Sequence, residues 1–230
     1  MKEKIKQKKF IQILALVVII IGCSIYFLTR QNQQQNKQQD IQNEKQDVQG
    51  LLADLTKAVN MVEGVENKLP KELLEVHQYL VNQIQNKKLN LVVADSKLKD
   101  LVMYHGVKTG SIYVNTSVKF KPELWIPVFY HESAHNYWRT RNPATTLEEF
   151  EESLFGSENY AYTVSAQAWN IVINNFPVQK DESKTELEQR FFKLYSDEAE
   201  VYNEMIKNNP EAEELWERII EENIKFQKEQ

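Results

Sequence analysis

The sequence predicts an α+β fold that is mostly helical, with a small β-sheet ahead of a histidine-bearing helix and a transmembrane helix at the N-terminus. Apolar residues recur at helical spacing over most of residues 51–230, and the pattern changes to that of short strands between residues 89 and 115. An uncharged apolar run over residues 10–28 is long enough to span a bilayer. A chain of 230 residues accommodates one such domain with appendages.

The composition limits the classes of function. Hydrophobic residues make up 42% of the chain, which is enough for a core, and the net charge is −5. With no basic and aromatic patch beyond the N-terminus, this charge predicts no nucleic-acid partner. Cys23 is the one cysteine, so the chain forms no internal disulfide and no cysteine-based zinc site.

The N-terminal segment indicates the compartment. Lysines dominate residues 1–9 and basic residues are sparse after the apolar run, so the positive-inside rule predicts a cytoplasmic tail, an anchor at residues 10–29 and a domain outside the cytoplasm. The alternative is a lipid-anchored lipoprotein, because the four residues ending at Cys23 resemble a lipoprotein box. The run continues through Leu28, which favours the uncleaved anchor. Residues 30–50, rich in glutamine and asparagine, are predicted to form a tether.

Helical periodicity organises the start of the folded domain, which is predicted over residues 51–230. The first helix is predicted to end at Gly64 and the second to begin after Pro70. The apolar face of the second helix includes His77, and that position predicts a packed core residue rather than a metal ligand. The apolar residues at helical spacing are Leu51, Leu55, Val59 and Val62, then Leu73, Leu74, Leu80, Val81 and Ile84.

Three short segments predict the sheet. Residues 89–94 are apolar and β-branched, and residues 111–115 alternate in the manner of a strand. Residues 101–105 predict a further strand or the end of a helix. His105 stands next to Gly106 and is predicted to lie in a loop.

Capping signals predict the later helices. Thr146, with Glu149 three residues on, predicts a capping box that opens a short helix ending at Gly156. Ser157 is then predicted to cap a separate helix. The helices predicted after that point are residues 158–175, residues 183–207 and one that starts at Pro210.

The run His131-Glu132-Ser133-Ala134-His135 matches HExxH, the zinc-hydrolase motif. Residues i and i+4 of a helix share one face, so both imidazoles can reach one ion. Zinc lowers the pKa of bound water to roughly 7, and Glu132 is placed to take the proton of that water rather than to bind the metal. The helix is predicted to start near Ile126, with Pro122 or Pro127 in its first turn.

Catalytic zinc takes three protein ligands, so the two histidines leave one to be found. The metzincin extension of the motif is absent, because Trp138 and Arg141 stand where it needs glycine and histidine. The first aspartate after the motif, Asp181, follows the next predicted helix. A glutamate therefore remains, with these candidates: Glu148, Glu149, Glu151, Glu152 and Glu158.

With these residues the chain resembles the gluzincin metallopeptidases, over roughly residues 88–176. In that family a strand-bearing subdomain precedes the HExxH helix, and a glutamate on the next long helix completes the zinc site. The resemblance implies a zincin-like domain in which Glu132 is the general base. It also implies that the Zn²⁺ ligands are His131, His135 and Glu158.

The resemblance includes one departure. Many gluzincins carry an aspartate four residues after the ligand glutamate, and this chain has Tyr162 there. Tyr162 and Tyr160 are the candidates for stabilising the oxyanion, which a tyrosine or histidine does in the family. Relatives pair an extended substrate with an edge strand before the active helix, which implies residues 110–115 for that role. Glu152 and Glu149 stay open as alternative third ligands.

The predicted function is a membrane-tethered zinc metallopeptidase that hydrolyses a peptide or protein substrate outside the cytoplasm. One alternative is a surface interaction module that keeps the zincin fold without the activity, as the missing orienting aspartate indicates. The other is a tethered helical structural protein in which HExxH is accidental. The sequence indicates neither the substrate nor the oligomeric state.

Overall fold

The computed structural model describes residues 48–93, 102–106, 109–115, 118, 120–176 and 185–229. These residues form six α-helices, a short 3₁₀ turn and one three-stranded sheet, so the predicted mostly helical α+β fold is confirmed. The elements are α1 (48–63), the 3₁₀ turn (Glu66–Lys68), α2 (Lys71–Gln85), β1 (Leu91–Val93), β2 (Met103–Gly106), β3 (Ser111–Val114), α3 (Pro122–Arg141), α4 (Leu147–Asn175), α5 (Glu186–Met205) and α6 (Pro210–Glu229).

The two helices predicted first, α1 and α2, bury the apolar faces from which they were predicted. Leu55 and Val62 in α1, and Leu73 and Leu80 in α2, are fully buried. Residues 48–50 belong to helix α1, so the end of the predicted tether is helical. His77 is a core residue, as predicted.

The sheet has the strand order β1–β3–β2, in which β1 is parallel to β3 and β2 is antiparallel to it. Two predictions are wrong here. Residues 110–115 are not an edge, because β3 has a partner strand on each side. His105 is not in a loop, because it pairs opposite Ile112 within β2. Strand β2 has four residues, which are too few to show an alternation of apolar and polar side chains in the sequence.

Helix α3 carries the HExxH motif and begins earlier than predicted. Pro122 occupies its first turn, where the missing N–H has no helical partner to lose, so the start lies one turn ahead of Ile126. Pro127 lies inside the helix, and the carbonyl that its missing N–H would have bonded belongs to the first turn. Helix α3 is lined with buried aromatic residues: Trp125, Phe129, Tyr130 and Tyr137.

Helix α4 is continuous over 29 residues, so the predicted break at Gly156 is wrong. The capping box of Thr146 and Glu149 is present, but the helix runs on through Gly156 and Ser157. A Cβ on Gly156 would stand 2.9 Å from Cζ2 of Trp138. Glycine at this position therefore serves the close approach of α3 and α4, which offsets the roughly 1 kcal/mol that it costs inside a helix.

The predicted C-terminal helices are confirmed as α5 and α6, and Thr185 forms a second capping box with Glu188. No helix in the part of the chain that the structure describes has the length and apolar character needed to cross a membrane. The predicted basic tail, the anchor or lipoprotein signal and most of the tether lie outside the described residues.

Candidate metal centre

Three side chains from two helices converge at the HExxH motif. His131 and His135 project from one face of α3, and Glu158 projects from α4, three turns into that helix. Glu158 Oε1 lies 3.5 Å from His135 Nε2, and Oε2 lies 4.0 Å from His131 Nε2. One potential ligand atom from each residue lies within 4.8 Å of the others. The structure thus brings together the three residues that the resemblance implied.

The spacing of these atoms suits a small divalent cation. Ligands at about 2.0–2.1 Å from a tetrahedral zinc ion lie roughly 3.3–3.4 Å from one another. The separations of 3.5 and 4.0 Å between Glu158 and the two histidines are slightly wider, so a small side-chain adjustment would close the set. Two imidazoles and one carboxylate also form a ligand set used by catalytic zinc sites. The group can hold a metal ion.

Burial keeps both histidines in the form that binds metal. Burial lowers the pKa of His131 to about 3, with a further lowering by His135 and an opposing effect of Glu158. Burial likewise lowers the pKa of His135 to about 3, assisted by His105 and Arg139. Both imidazoles are therefore neutral at physiological pH, and metal binding needs no deprotonation of these rings.

Ser157 and Asn223 orient two of the three ligands. Ser157 Oγ lies 2.9 Å from His135 Nδ1, and Asn223 Nδ2 on α6 donates to Glu158 Oε2 over 2.9 Å. In the tautomer in which His135 Nδ1–H donates to Ser157, the lone pair of Nε2 is directed at the Glu158 carboxylate and is available to a metal ion. Two acceptors that face each other need a cation or a proton between them. Hydrogen bonds from neighbouring residues to the ligands, like those of Ser157 and Asn223, are typical of metal sites.

Sequence reasoning missed both orienting residues. Ser157 follows a glycine and so has the sequence pattern of a helix cap, although it stands next to Glu158. Asn223 lies 65 residues after Glu158, and no local pattern connects the two.

Glu132 lies beside the three ligands and is largely desolvated. Burial raises the pKa of this carboxyl well above its usual range, and the Glu158 carboxylate raises it further. The main-chain N–H of His105 in β2 bonds to the Glu132 carboxylate and opposes that rise. Burial therefore favours the protonated form of Glu132, and a carboxyl with a pKa perturbed in this way is typical of functional sites.

The two tyrosines singled out from the sequence lie on different sides of α4. The Tyr162 ring packs edge-on against His131, with centroids 4.9 Å apart. Burial raises the pKa of Tyr162, and the carboxylates of Glu198, Glu158 and Glu132 contribute. Tyr160 lies at α2, where its hydroxyl donates to the main-chain oxygen of Glu72.

The alternative third ligands are on the surface. Glu149 is exposed, and its carboxylate accepts hydrogen bonds from Thr145 and Thr146 in the capping box. Glu152 is exposed as well. Among the glutamates weighed from the sequence, Glu158 is the one that the structure places in the histidine cluster.

Glu198 on α5 is a buried acid that sequence reasoning did not single out. Burial raises its pKa to about 8, and Asp197 adds to the rise. A negative charge on Glu198 raises the pKa of Tyr162 and of Tyr195, and a charge on Glu132 raises the pKa of the same two tyrosines. In the sequence this residue is one of many helical glutamates, which is why its burial was not foreseen.

Comparisons of the chain with known protein families, with curated proteins and with solved structures found no match.

Proposed function

We propose that this protein is a zinc-dependent metallopeptidase of the gluzincin type. The observation that carries the proposal is the buried group of His131, His135 and Glu158, formed by an HExxH helix and the helix that follows it. Glu132 stands one residue from the first ligand and next to the group, in the position of a general base. The resemblance to gluzincins implies the same roles for the same four residues.

In the proposed reaction, a zinc ion held by His131, His135 and Glu158 would supply a Lewis acid that polarises the scissile carbonyl and acidifies the attacking water. Glu132 takes a proton from that water and returns it to the leaving amine. Tyr162 beside His131 is the proposed stabiliser of the oxyanion.

The proposed substrate is an extended peptide segment that docks along β2. Within the described residues β2 pairs only with β3 and so forms one edge of the sheet. The main-chain N–H of Asn115 donates to Val102, which fixes the alternation of hydrogen-bonded pairs. By that alternation, the main-chain groups of Met103 and His105 point away from β3. The His105 N–H bonds to Glu132, so an added strand would bind to the main-chain groups of Met103 and to the His105 carbonyl.

The proposed location rests on the sequence. The predicted anchor at residues 10–29 would tether the protease to the membrane and place its domain outside the cytoplasm. A lipid anchor at Cys23 is the alternative, and both arrangements give the same side of the membrane.

The test uses the purified full chain, stripped of metal and reloaded with Zn²⁺. We expect about one zinc per chain and cleavage of some members of a broad fluorogenic peptide library. Glu132→Gln should keep its zinc and lose roughly 10²–10⁴-fold in kcat, since it removes the general base. Glu151→Gln, an exposed acid on α4, is the matched control and should retain activity. A zinc-loaded wild type that cleaves no peptide would exclude the proposal.

A second candidate function is a zinc-binding surface module without peptidase activity. It is favoured by Tyr162, which replaces the aspartate that orients the first histidine in many gluzincins. This alternative predicts bound zinc, no turnover in wild type, and partner binding that Glu132→Gln leaves unchanged.

A further inference from the structure

His105 in β2 contacts three residues of the HExxH helix. Glu132, His135 and Asn136 occupy positions i, i+3 and i+4 of α3 and so share one face. The His105 main-chain N–H bonds to the Glu132 carboxylate, and its ring lies 5.8 Å from the His135 ring, nearly parallel to it. The His105 Nε2 atom lies 2.8 Å from Asn136 Oδ1. One strand residue therefore contacts the base, a ligand and the residue after the motif.

The contact with Asn136 fixes the ring of His105. An amide oxygen only accepts, so His105 Nε2 carries the proton that it donates. Asn136 also lies under the turn between β2 and β3, where a Cβ on Gly110 would stand 3.5 Å from Asn136 Oδ1. Gly110 has a φ of +65° and so supplies the left-handed conformation that this turn needs. The end of β2 is thus secured to α3 at the level of the motif.

The position of His105 in the sheet connects this contact to the substrate. His105 is a residue whose main-chain groups point away from β3, so its N–H is directed out of the sheet. That N–H donates a hydrogen bond to the Glu132 carboxylate. A displacement of β2 relative to α3 would therefore move the donor that holds the base as well as the edge that receives the peptide.

We propose that His105 is a positioning residue, which holds the general base Glu132 through its main-chain N–H and holds β2 against α3 through its hydrogen bond to Asn136. This inference rests on the proposed peptidase function. Its consequence is that the side chain of His105 acts on the chemical step without touching the metal. Misplacing a catalytic group by about 1 Å can lower a rate by about 10²-fold.

Two substitutions separate the hydrogen bond from the packing. His105→Phe keeps a flat ring beside His135 and removes the Nε2 donor. His105→Gln removes the ring and keeps an amide nitrogen that can donate to Asn136. We expect His105→Phe to retain one zinc per chain and to lose 10- to 100-fold in kcat with a smaller change in KM, because a bound peptide moves together with β2 whereas Glu132 on α3 is left misplaced relative to it. We expect His105→Gln to recover most of that loss.

A double-mutant cycle with Asn136→Ala tests whether the two residues act as a unit. The double variant with His105→Phe should be no slower than either single variant, since both remove the same hydrogen bond. His77→Phe is the matched control. It replaces another buried histidine, whose Nδ1 atom forms a hydrogen bond of 2.7 Å with the Tyr130 hydroxyl. It should lower stability and leave kcat unchanged.

Each other outcome overturns the proposal. Full kcat in His105→Phe, multiplied losses in the double variant, or no recovery by His105→Gln would remove the positioning role. Loss of zinc from His105→Phe would make the residue part of the metal site instead. A zinc-loaded wild type that cleaves nothing would be recognised before any variant is compared, and it would remove the proposed function together with this inference.

Discussion

Two sites with buried histidines adjoin helix α3, and they differ in whether the protein alone satisfies their polar groups. His77 of α2 bonds to the Tyr130 hydroxyl of α3 over 2.7 Å, and the pair is complete within the protein. The next residue of α3, His131, faces instead toward His135 and Glu158, where potential ligand atoms of the three residues converge. A buried polar pair that satisfies itself stabilises a core, and a buried set of acceptors requires a cation. Burial of a histidine by itself therefore does not identify a metal site.

The largest expected difference between the two sites is in metal binding. Glu158→Ala should weaken zinc binding by roughly 3–5 kcal/mol, about a third of what a structural zinc site contributes. Tyr130→Phe should leave zinc binding unchanged and destabilise the fold by roughly 1–3 kcal/mol, since it leaves His77 without its partner. Competition with a chromophoric chelator measures the first quantity and urea unfolding the second. Equal zinc affinities in the two variants would show that Glu158 is not a ligand.

The two regions should also respond to pH with opposite sign. The folded pKa of His77 is lowered by burial, partly opposed by Glu66 and Glu63, so its contribution is lost as pH falls below about 6.5. Glu198, near the metal centre, has a folded pKa of about 8, against 4.5 for an ordinary glutamate. The folded state holds that proton at pH values where the unfolded state has released it. Stability associated with Glu198 is therefore lost as pH rises from about 4.5 through about 8.

Glu198→Gln removes this alkaline loss. Relative to wild type, the variant should gain of the order of 3–5 kcal/mol in unfolding free energy between pH 5 and pH 9, because one pKa unit corresponds to about 1.4 kcal/mol. Urea unfolding at the two pH values with zinc held constant measures the change. Glu200→Gln, an exposed acid two residues away, is the control and should show no such trend. A flat difference for Glu198→Gln would mean that Glu198 is ionised in the folded state.

The smallest effect is expected where the metal centre depends on α6. Asn223→Ala removes the amide that holds Glu158 Oε2 and should weaken zinc binding about 10- to 100-fold, as the loss of an outer hydrogen bond typically does. Trp216→Phe removes another hydrogen bond between α6 and α4, from Nε1 to Asn159 Oδ1 at 2.9 Å. Its zinc affinity should match wild type. Equal losses in both variants would assign the effect to helix docking rather than to Glu158.

Much of the helical architecture was predictable because apolar periodicity and caps are local signals. The faces of α1 and α2 and the capping box of α4 are of this kind. The continuity of α4 was not predictable, because Gly156 followed by a serine has the local character of a helix end. What keeps the helix intact is the approach of Trp138 from another helix, and that contact has no local signature.

The candidate site likewise contains some residues that could be predicted from the sequence and others that could not. The histidine pair of HExxH is set by helical spacing, and the family resemblance implied Glu158. The supporting residues come from distant elements: His105 from a strand of four residues, Glu198 from α5 and Asn223 from α6. A strand that short carries too little alternation, and a buried glutamate or asparagine on an otherwise charged helix looks like its exposed neighbours.

The hydrogen bond from Asn223 to Glu158 also links the metal centre to the order in which the chain is made. Both histidines and Glu158 are synthesised well before α6, yet the amide that orients Glu158 arrives 65 residues later. A nascent or truncated chain that ends before α6 would carry every ligand and lack the final constraint on the third. Full metal affinity would then be acquired only after α6 has been made and has docked on α4.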